Sequence, residues 1–339
     1  MSDQYTKISI VYATYRKNPY LDWLIDSFYN QCIKYDIPTS VIQFIIVDSY
    51  LWQDPTNTDE RRSNINKWIN NRFDYVHVSP KPNPYQGPNK LTSIDYFSAG
   101  NARNTGICYA KHSYVLFIDD LSILGEGCLV KILDGASAGL VIGYAYKKLF
   151  DIEIESGNII SKTEIQSGID SRWHLGNNET IVIIRGSQLY GYCGMPLQVI
   201  LDVNGYDQIC DSIRGEDYHL GIRIEKMNIP IYYNINVVFY EADGEKYVSH
   251  PYIARNSVLS KEKYESILTK YNITQRWHDK GGYDISFLVL DILLNASHVA
   301  KGNKFNLADL RNKILAGGTF EIDFDSTFKT IEDLNICDI

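Results

Sequence analysis

The sequence predicts an α/β fold, a sheet flanked by helices, with a helical segment after it. Three observations carry this. In the N-terminal half, short apolar runs rich in β-formers alternate with segments whose apolar residues recur at helical spacing, the pattern of β-α-β units. Two of these runs end on acids, IIVD at Asp48 and LFID at Asp119. Parallel strands share a direction, so both acids fall on one sheet edge, where open α/β sheets bind ligands. Past residue 255 the β-rich pattern gives way to helical periodicity.

Taken in order, ISIVYAT (8–14) is a strand, and residues 18–35 carry Leu21, Leu24, Ile25 and Phe28 on one helical face. SVIQFIIVD (40–48) is the second strand, and 60–73 is a polar, helix-like segment. DYVHVSP (74–80) is a third strand, ended by a Pro/Gly loop at 80–91. Residues 98–112 read as a helix that feeds the strand SYVLFI, continuously apolar and so covered on both faces. The middle is richer in β-structure: a strand over 138–150, a hairpin over 151–165, a strand over 179–190 and a strand pair over 229–242. A turn is expected at Asn204-Gly205, and GEDYHLGIRIEKMN (215–228) opens a helix with two acids in its first turn, where the dipole favours negative charge. We expect one domain over 1–255 and a helical C-terminal extension over 256–339. Its apolar residues, Phe287, Leu288, Leu290, Ile292 and Leu293 among them, should pack on the first domain or form a homodimer contact.

At 339 residues the chain can bury a large core, and 45% hydrophobic with 22% charged residues argues against wholesale disorder. A net charge of -8 disfavours a general nucleic-acid binder, which carries a basic surface. The six cysteines are scattered, with no C-x-x-C and no zinc spacing, which suits a reducing compartment. The opening MSDQYTKISIVYATY lacks a signal-peptide build, and the longest apolar run (285–294) is interrupted by Asp291 and is too short to span a bilayer as a transmembrane helix. A cytoplasmic location is expected.

The chemistry concentrates at Asp119-Asp120. Two adjacent carboxylates at the mouth of a dry interior are costly unless a cation or hydrogen bonds compensate them. They read either as a polar turn or as a site for a divalent metal. The surrounding motifs favour the second. A first strand ending in Thr14-Tyr15, a second ending in Asp48, Ala-Arg-Asn (102–104) opening a helix, Asp119-Asp120, Gly-Tyr-Asp (205–207) and Gly-Glu-Asp (215–217) stand in this order.

That ordered set, over roughly residues 7–250, resembles the family-2-like glycosyltransferases of the GT-A fold, whose Rossmann-like mixed sheet is flanked by helices. The resemblance implies an enzyme that moves a sugar from a nucleotide-sugar, most often a UDP-sugar, to an acceptor hydroxyl on a glycan or other molecule, with inversion. It also implies Mn²⁺ or Mg²⁺, hard ions suited to oxygen ligands, easing departure of the pyrophosphate. In this sequence Asp120 would hold the metal and Asp119 the donor's ribose or sugar hydroxyls. Because Leu121 stands where the family often has a third acid, which aspartate ligates is left open. Thr14, Tyr15 and Arg103 would bind the donor, Tyr15 by stacking on the base, and Asp48 would accept the base's imide N–H. Asp217, or its neighbour Glu216, would take the acceptor's proton. His250, in the segment that the family's topology returns beneath the phosphates, would be a further metal ligand. Trp173, in a loop, could stack on an acceptor sugar.

Within the same fold a nucleotidyltransferase opens with a glycine-rich loop after strand one, which YATYRKNPY lacks. A binding protein without turnover is the alternative from another class. Retention of Asp119, Asp120 and Asp217 together argues against it, whereas Leu121 argues for it.

Overall fold

The computed structural model describes residues 5–92, 94–175, 181–212, 215–243, 260–270, 303 and 305–321. The expected β-α-β alternation is present: β1 (Ile8–Thr14), α1 (Leu21–Lys34), β2 (Ile42–Asp48), α2 (Tyr50–Gln53), α3 (Thr58–Ile69), β3 (Asp74–Val78), α4 (Ala99–Tyr109) and β4 (Tyr114–Asp119) follow in order. Strands β1, β2, β3 and β4 are mutually parallel, with β1 between β2 and β4. Strands β1, β2 and β4 are buried along nearly their whole length because helices cover both faces, whereas β3, at the sheet edge, is only partly buried. In β1, Ile8, Ile10 and Tyr12 enter a core shared with α1 and α3, and Val11 enters a second core with α4. Phe44 and Ile46 of β2 face the first core, Ile45 and Val47 the second, the two-residue period of a strand.

The second half makes the sheet mixed. After β5 (Ser122–Leu124) and α5 (Cys128–Ser137) come β6 (Val141–Glu155), β7 (Asn158–Ile169), β8 (Val182–Ile184), β9 (Cys193–Pro196), α6 (Leu197–Asp202), α7 (Glu216–Lys226) and β10 (Ile231–Ala242). The order across the sheet is β3-β2-β1-β4-β9-β6-β10-β5, with β7 on β6 and β8 on β10. Strand β9 runs antiparallel to both β4 and β6, so it is the seam between the parallel half and the rest.

Three local readings change. The strand expected over 138–150 and the first arm of the expected hairpin are one strand, β6, because DIEIE continues the β-period and no turn chemistry intervenes. The chain reverses only at Ser156-Gly157, both at positive φ. The pair expected over 229–242 is the single strand β10, and its Asn-Ile-Asn stretch is a bulge: register against β6 shifts between Asn234 and Val238, and Asn234 Oδ1 accepts the Asn236 N–H at 2.9 Å. Of the strand expected over 179–190, only β8 is paired in the sheet among the described residues, before a helical turn at Gly186–Gln188.

Two helices follow the sheet among the described residues, α8 (Lys261–Lys270) and α9 (Leu307–Leu315). Helix α9 packs against α4: Leu307 and Ile314 join the second core, and Arg311 donates to the Ala110 carbonyl at 2.7 Å. The expected boundary at 255 and the apolar run at 287–293 lie outside the described residues. No helix among the described residues is long and apolar enough to cross a membrane.

Candidate active site

The parallel register places the chemistry on one edge. Thr14 pairs with Asp48, and Ala13 with Asp119. A cavity of about 250 Å³ opens there, lined by Tyr15, Arg16, Phe97, Arg103, Asp119, Asp120, Glu216, Asp217 and Glu241. Residues more than two hundred positions apart thus meet because β1, β4 and β10 end at this edge and α4 and α7 begin there.

The Asp119-Asp120 pair sits on a sharp reversal between β4 and β5. Leu121 carries it with φ of 59, a left-handed conformation that costs a branched residue about 1–2 kcal/mol. Its side chain is buried with Leu149, Ile152 and Ala242, and Ala242 N–H donates to its carbonyl at 3.0 Å. The third position of the motif therefore points into an apolar cluster, which suits the leucine found there. Ser122 Oγ donates to the Asp119 carbonyl at 2.7 Å, and the Tyr192 hydroxyl links Ser122 (2.7 Å) to Glu241 (3.1 Å). Asp120 Oδ2 accepts from Thr14 Oγ1 at 3.1 Å and from Arg16 Nε at 2.9 Å. Burial raises the Asp120 carboxyl above the ordinary range, against the pull of Arg16.

Arg103 is the buried cation of the site, 6% exposed. Its Nη2 donates to Asp119 Oδ1 at 2.7 Å and its Nη1 to Glu216 Oε1 at 2.6 Å, while its guanidinium lies 5.1 Å from the Tyr206 ring centre. The neighbouring motif residues are its scaffold. The Asn104 amide accepts from Tyr206 N and donates to Tyr206 O, both at 2.8 Å, clipping α4 to the Asn204-Gly205 turn. Asp211 accepts the N–H of Gly100 at 2.9 Å and so caps the opening of α4. Ala-Arg-Asn and Gly-Tyr-Asp are therefore two halves of one clamp.

Glu216 and Asp217 open α7 behind Gly215, which is at φ 95. Glu216 is committed to Arg103. Asp217 forms no ion pair among the described residues, and its Oδ1 accepts the Tyr218 N–H at 2.9 Å. Burial first, then the charge of Glu216, pushes the Asp217 carboxyl up to about 7, with Arg103 opposing.

The other expected residues are spread more widely. Tyr15 lines the cavity, its ring 5.8 Å from that of Phe97. Asp48 is fully buried and not in the cavity lining. Its oxygens accept from Arg61 Nη2 (2.8 Å) and Tyr50 N–H (3.1 Å), and His77 Nε2 is 3.0 Å away. Burial alone would raise its pKa, but the His77 and Arg61 bonds outweigh this and hold it below the ordinary range. Trp173 also lies away from the cavity lining, packed on the second core with Lys147 Nζ 4.7 Å from its ring centre. His250 lies outside the described residues.

Three contributors escape sequence reading. Arg16 looks like a loop arginine, and Glu241 like one acid in a polar strand end. Burial pushes Glu241 up to about 7 against Lys148, and Asp119 adds to the rise. Gly191 has no motif around it, yet a Cβ there would lie 2.4 Å from Asp119 Oδ2 and 2.9 Å from Arg103 Nη2, so any other residue would displace these two side chains. Nothing in local spacing marks these positions.

Among the described residues no three His, Cys, Asp or Glu side chains form a ready metal cage. The chemistry of the donor set still suits a hard ion. Asp119 is 41% exposed at its side chain and close enough for its charge to act on Asp120, and Mg²⁺-type sites use one or two carboxylates with substrate phosphates supplying the rest.

Neither a protein-family model nor a curated protein matches the sequence. Solved structures do. The chain aligns with S. aureus TarS in complex with UDP-GlcNAc at TM-score 0.53 and 15% identity, over 92% of this chain and 71% of that one. It aligns with TarS in complex with UDP at TM-score 0.50 and 12% identity, over 95% of both chains. A third TarS structure aligns at TM-score 0.47 and 14% identity, over 70% of this chain and 60% of that one. At these identities the likeness is one of architecture alone, and the alignments at TM-score 0.50 and 0.53, with the mixed sheet, give the chain the GT-A fold.

Proposed function

We propose that the chain is a glycosyltransferase that moves a sugar from a nucleotide-sugar, a UDP-sugar first among them, to an acceptor hydroxyl, with inversion and with Asp217 as the base. One observation carries the reading: Arg103 pairs with both Asp119 and Glu216 and leaves Asp217 without an ion pair at the cavity wall. A carboxylate that is partly desolvated and not ion-paired is suited to take a proton near neutral pH. Tyr15 and Phe97 offer aromatic surface for a base, and Arg16 and Arg103 offer positive charge for phosphates. The UDP and UDP-GlcNAc bound by TarS make UDP-sugars the first donors to try.

Asp119 and Asp120 would hold Mn²⁺ or Mg²⁺, with Arg16 shielding Asp120. A bound ion would stabilise charge on the departing diphosphate. The chain's own residues do the rest. Arg103 orients Asp119, the Ser122–Tyr192–Glu241 relay holds the aspartate turn, and Asp217 accepts the acceptor's proton as its oxygen attacks.

A thermal-shift screen across UDP-, GDP- and dTDP-sugars, with and without Mn²⁺, tests donor binding, because a ligand of the folded state raises its melting temperature. A rise with a UDP-sugar that is larger with Mn²⁺ is expected. No rise with any nucleotide or nucleotide-sugar overturns the reading. A rise without release of the nucleoside diphosphate toward any acceptor or water supports a binding protein instead.

A further inference from the structure

Beside Asp217 lies a group of tyrosine rings that the reaction as described does not use. Tyr218 follows Asp217 directly, and its ring meets that of Tyr190 edge to face, centroids 5.6 Å apart. Tyr190 is anchored at the centre of the site, since the next residue, Gly191, passes within a Cβ's width of Asp119 and Arg103. A third ring, Tyr146, stands 6.5 Å from Tyr190.

Tyr190 is held from behind. Arg172, 1% exposed, places its guanidinium 4.2 Å from the Tyr190 ring centre and 4.6 Å from that of Tyr233. Arg172 is in turn bonded to Asp170 Oδ2 (2.6 Å), the Tyr144 carbonyl (2.7 Å) and the Gln188 carbonyl (3.0 Å). The Tyr190 hydroxyl is 2.8 Å from Ser171 Oγ. Tyr190 and Tyr218 nevertheless stay half-buried. Aromatic rings locked by a buried cation and left partly open form a preorganised surface, which loses little entropy on binding.

We propose that Tyr190 and Tyr218 form a stacking subsite for a pyranose unit of the acceptor. This rests on reading the cavity as a site of glycosyl transfer: if Asp217 takes the acceptor's proton, the acceptor must lie against the groups beside Asp217. A pyranose ring offers an apolar face of axial C–H groups to the negative face of an aromatic ring. The acceptor of this site is therefore a carbohydrate, bound by its ring face.

The test uses the full chain and simple probes: methyl β-glucoside, methyl β-galactoside and methyl N-acetyl-β-glucosaminide, each with and without UDP, read by saturation-transfer NMR. At least one glycoside should be saturated at its ring C–H protons by the wild type, and equally by Tyr190→Phe and Tyr218→Phe. Tyr190→Leu and Tyr218→Leu should lower that signal about five-fold at unchanged melting temperature. Wild-type signal in both leucine variants, or no saturation of any glycoside by the wild type, overturns the subsite. Glycoside saturation that persists while UDP and UDP-sugars fail to shift the melting temperature sinks the donor reading and leaves the subsite standing.

Discussion

Arg103 donates to Glu216 at 2.6 Å, joining the helix that Ala-Arg-Asn opens to the helix that Gly-Glu-Asp opens. Of two adjacent acids, one is thereby used up as a counter-ion and the other, Asp217, is left to accept a proton. Asp217→Asn keeps size and hydrogen bonding but cannot accept that proton. Turnover should fall about a hundred-fold or more, while the UDP-induced rise in melting temperature is retained. Near-wild-type turnover in this variant, with loss in Glu216→Gln, would move the base to Glu216.

The shifted carboxyl makes rate depend on pH. Asp217 must be ionised to act, and burial holds its proton on up to about 7. Transfer should rise with pH through that value and level off above it, measured as turnover under saturating donor. For stability the sign is opposite. The unfolded carboxyl releases its proton near 3.8, so this group's contribution is complete below that pH and is lost as pH rises through about 7.

Arg103→Met removes the cation, leaving Glu216 uncompensated at a buried position and the more exposed Asp119 without its partner. Urea unfolding should show a loss of about 3 kcal/mol, and donor binding should weaken with it. A stability loss under about 1 kcal/mol would show that solvent already relieves both acids.

Gly191→Ala places a methyl group against Asp119 and Arg103. The fold should survive, because the clash is with side chains that can shift, but donor affinity should drop about ten-fold as the pair moves. Titration of the UDP-induced melting shift measures this, and unchanged affinity would show that the exact placement of Asp119 does not matter to the donor.

Asn104→Ala strips both bonds from the Tyr206 backbone, N–H and C=O, inside a buried contact. A loss of about 2 kcal/mol in chemical denaturation is expected. Asn104 touches no cavity-lining atom by hydrogen bond, so donor affinity at low temperature should hold; a matched loss of affinity would make it part of the binding surface.

Much of the site is legible in sequence because strand direction is. Once IIVD and LFID are read as parallel strands, Asp48 and Asp119 must reach one edge, and they do. Asp48 shows the limit of that reading. The pattern places it at the edge, but Arg61 from α3 and His77 from β3 enclose it, and no spacing rule connects positions 48, 61 and 77.

The sequence by itself determined the β-α-β alternation, the helix that opens on two acids, and the turn at Asn204-Gly205. These are set by local periodicity, dipole and positive-φ preferences that act within a few residues. Only the tertiary structure decided that Asn234–Val238 is a bulge within one strand, that Leu121 points into apolar packing, that Arg16 and Glu241 line the cavity, and that Gly191 packs against its Asp119 and Arg103. It also decided which of Glu216 and Asp217 is tied to Arg103. Each of these is settled by contacts between segments far apart in the chain, where the cost of burying charge is met by partners that no local pattern can name.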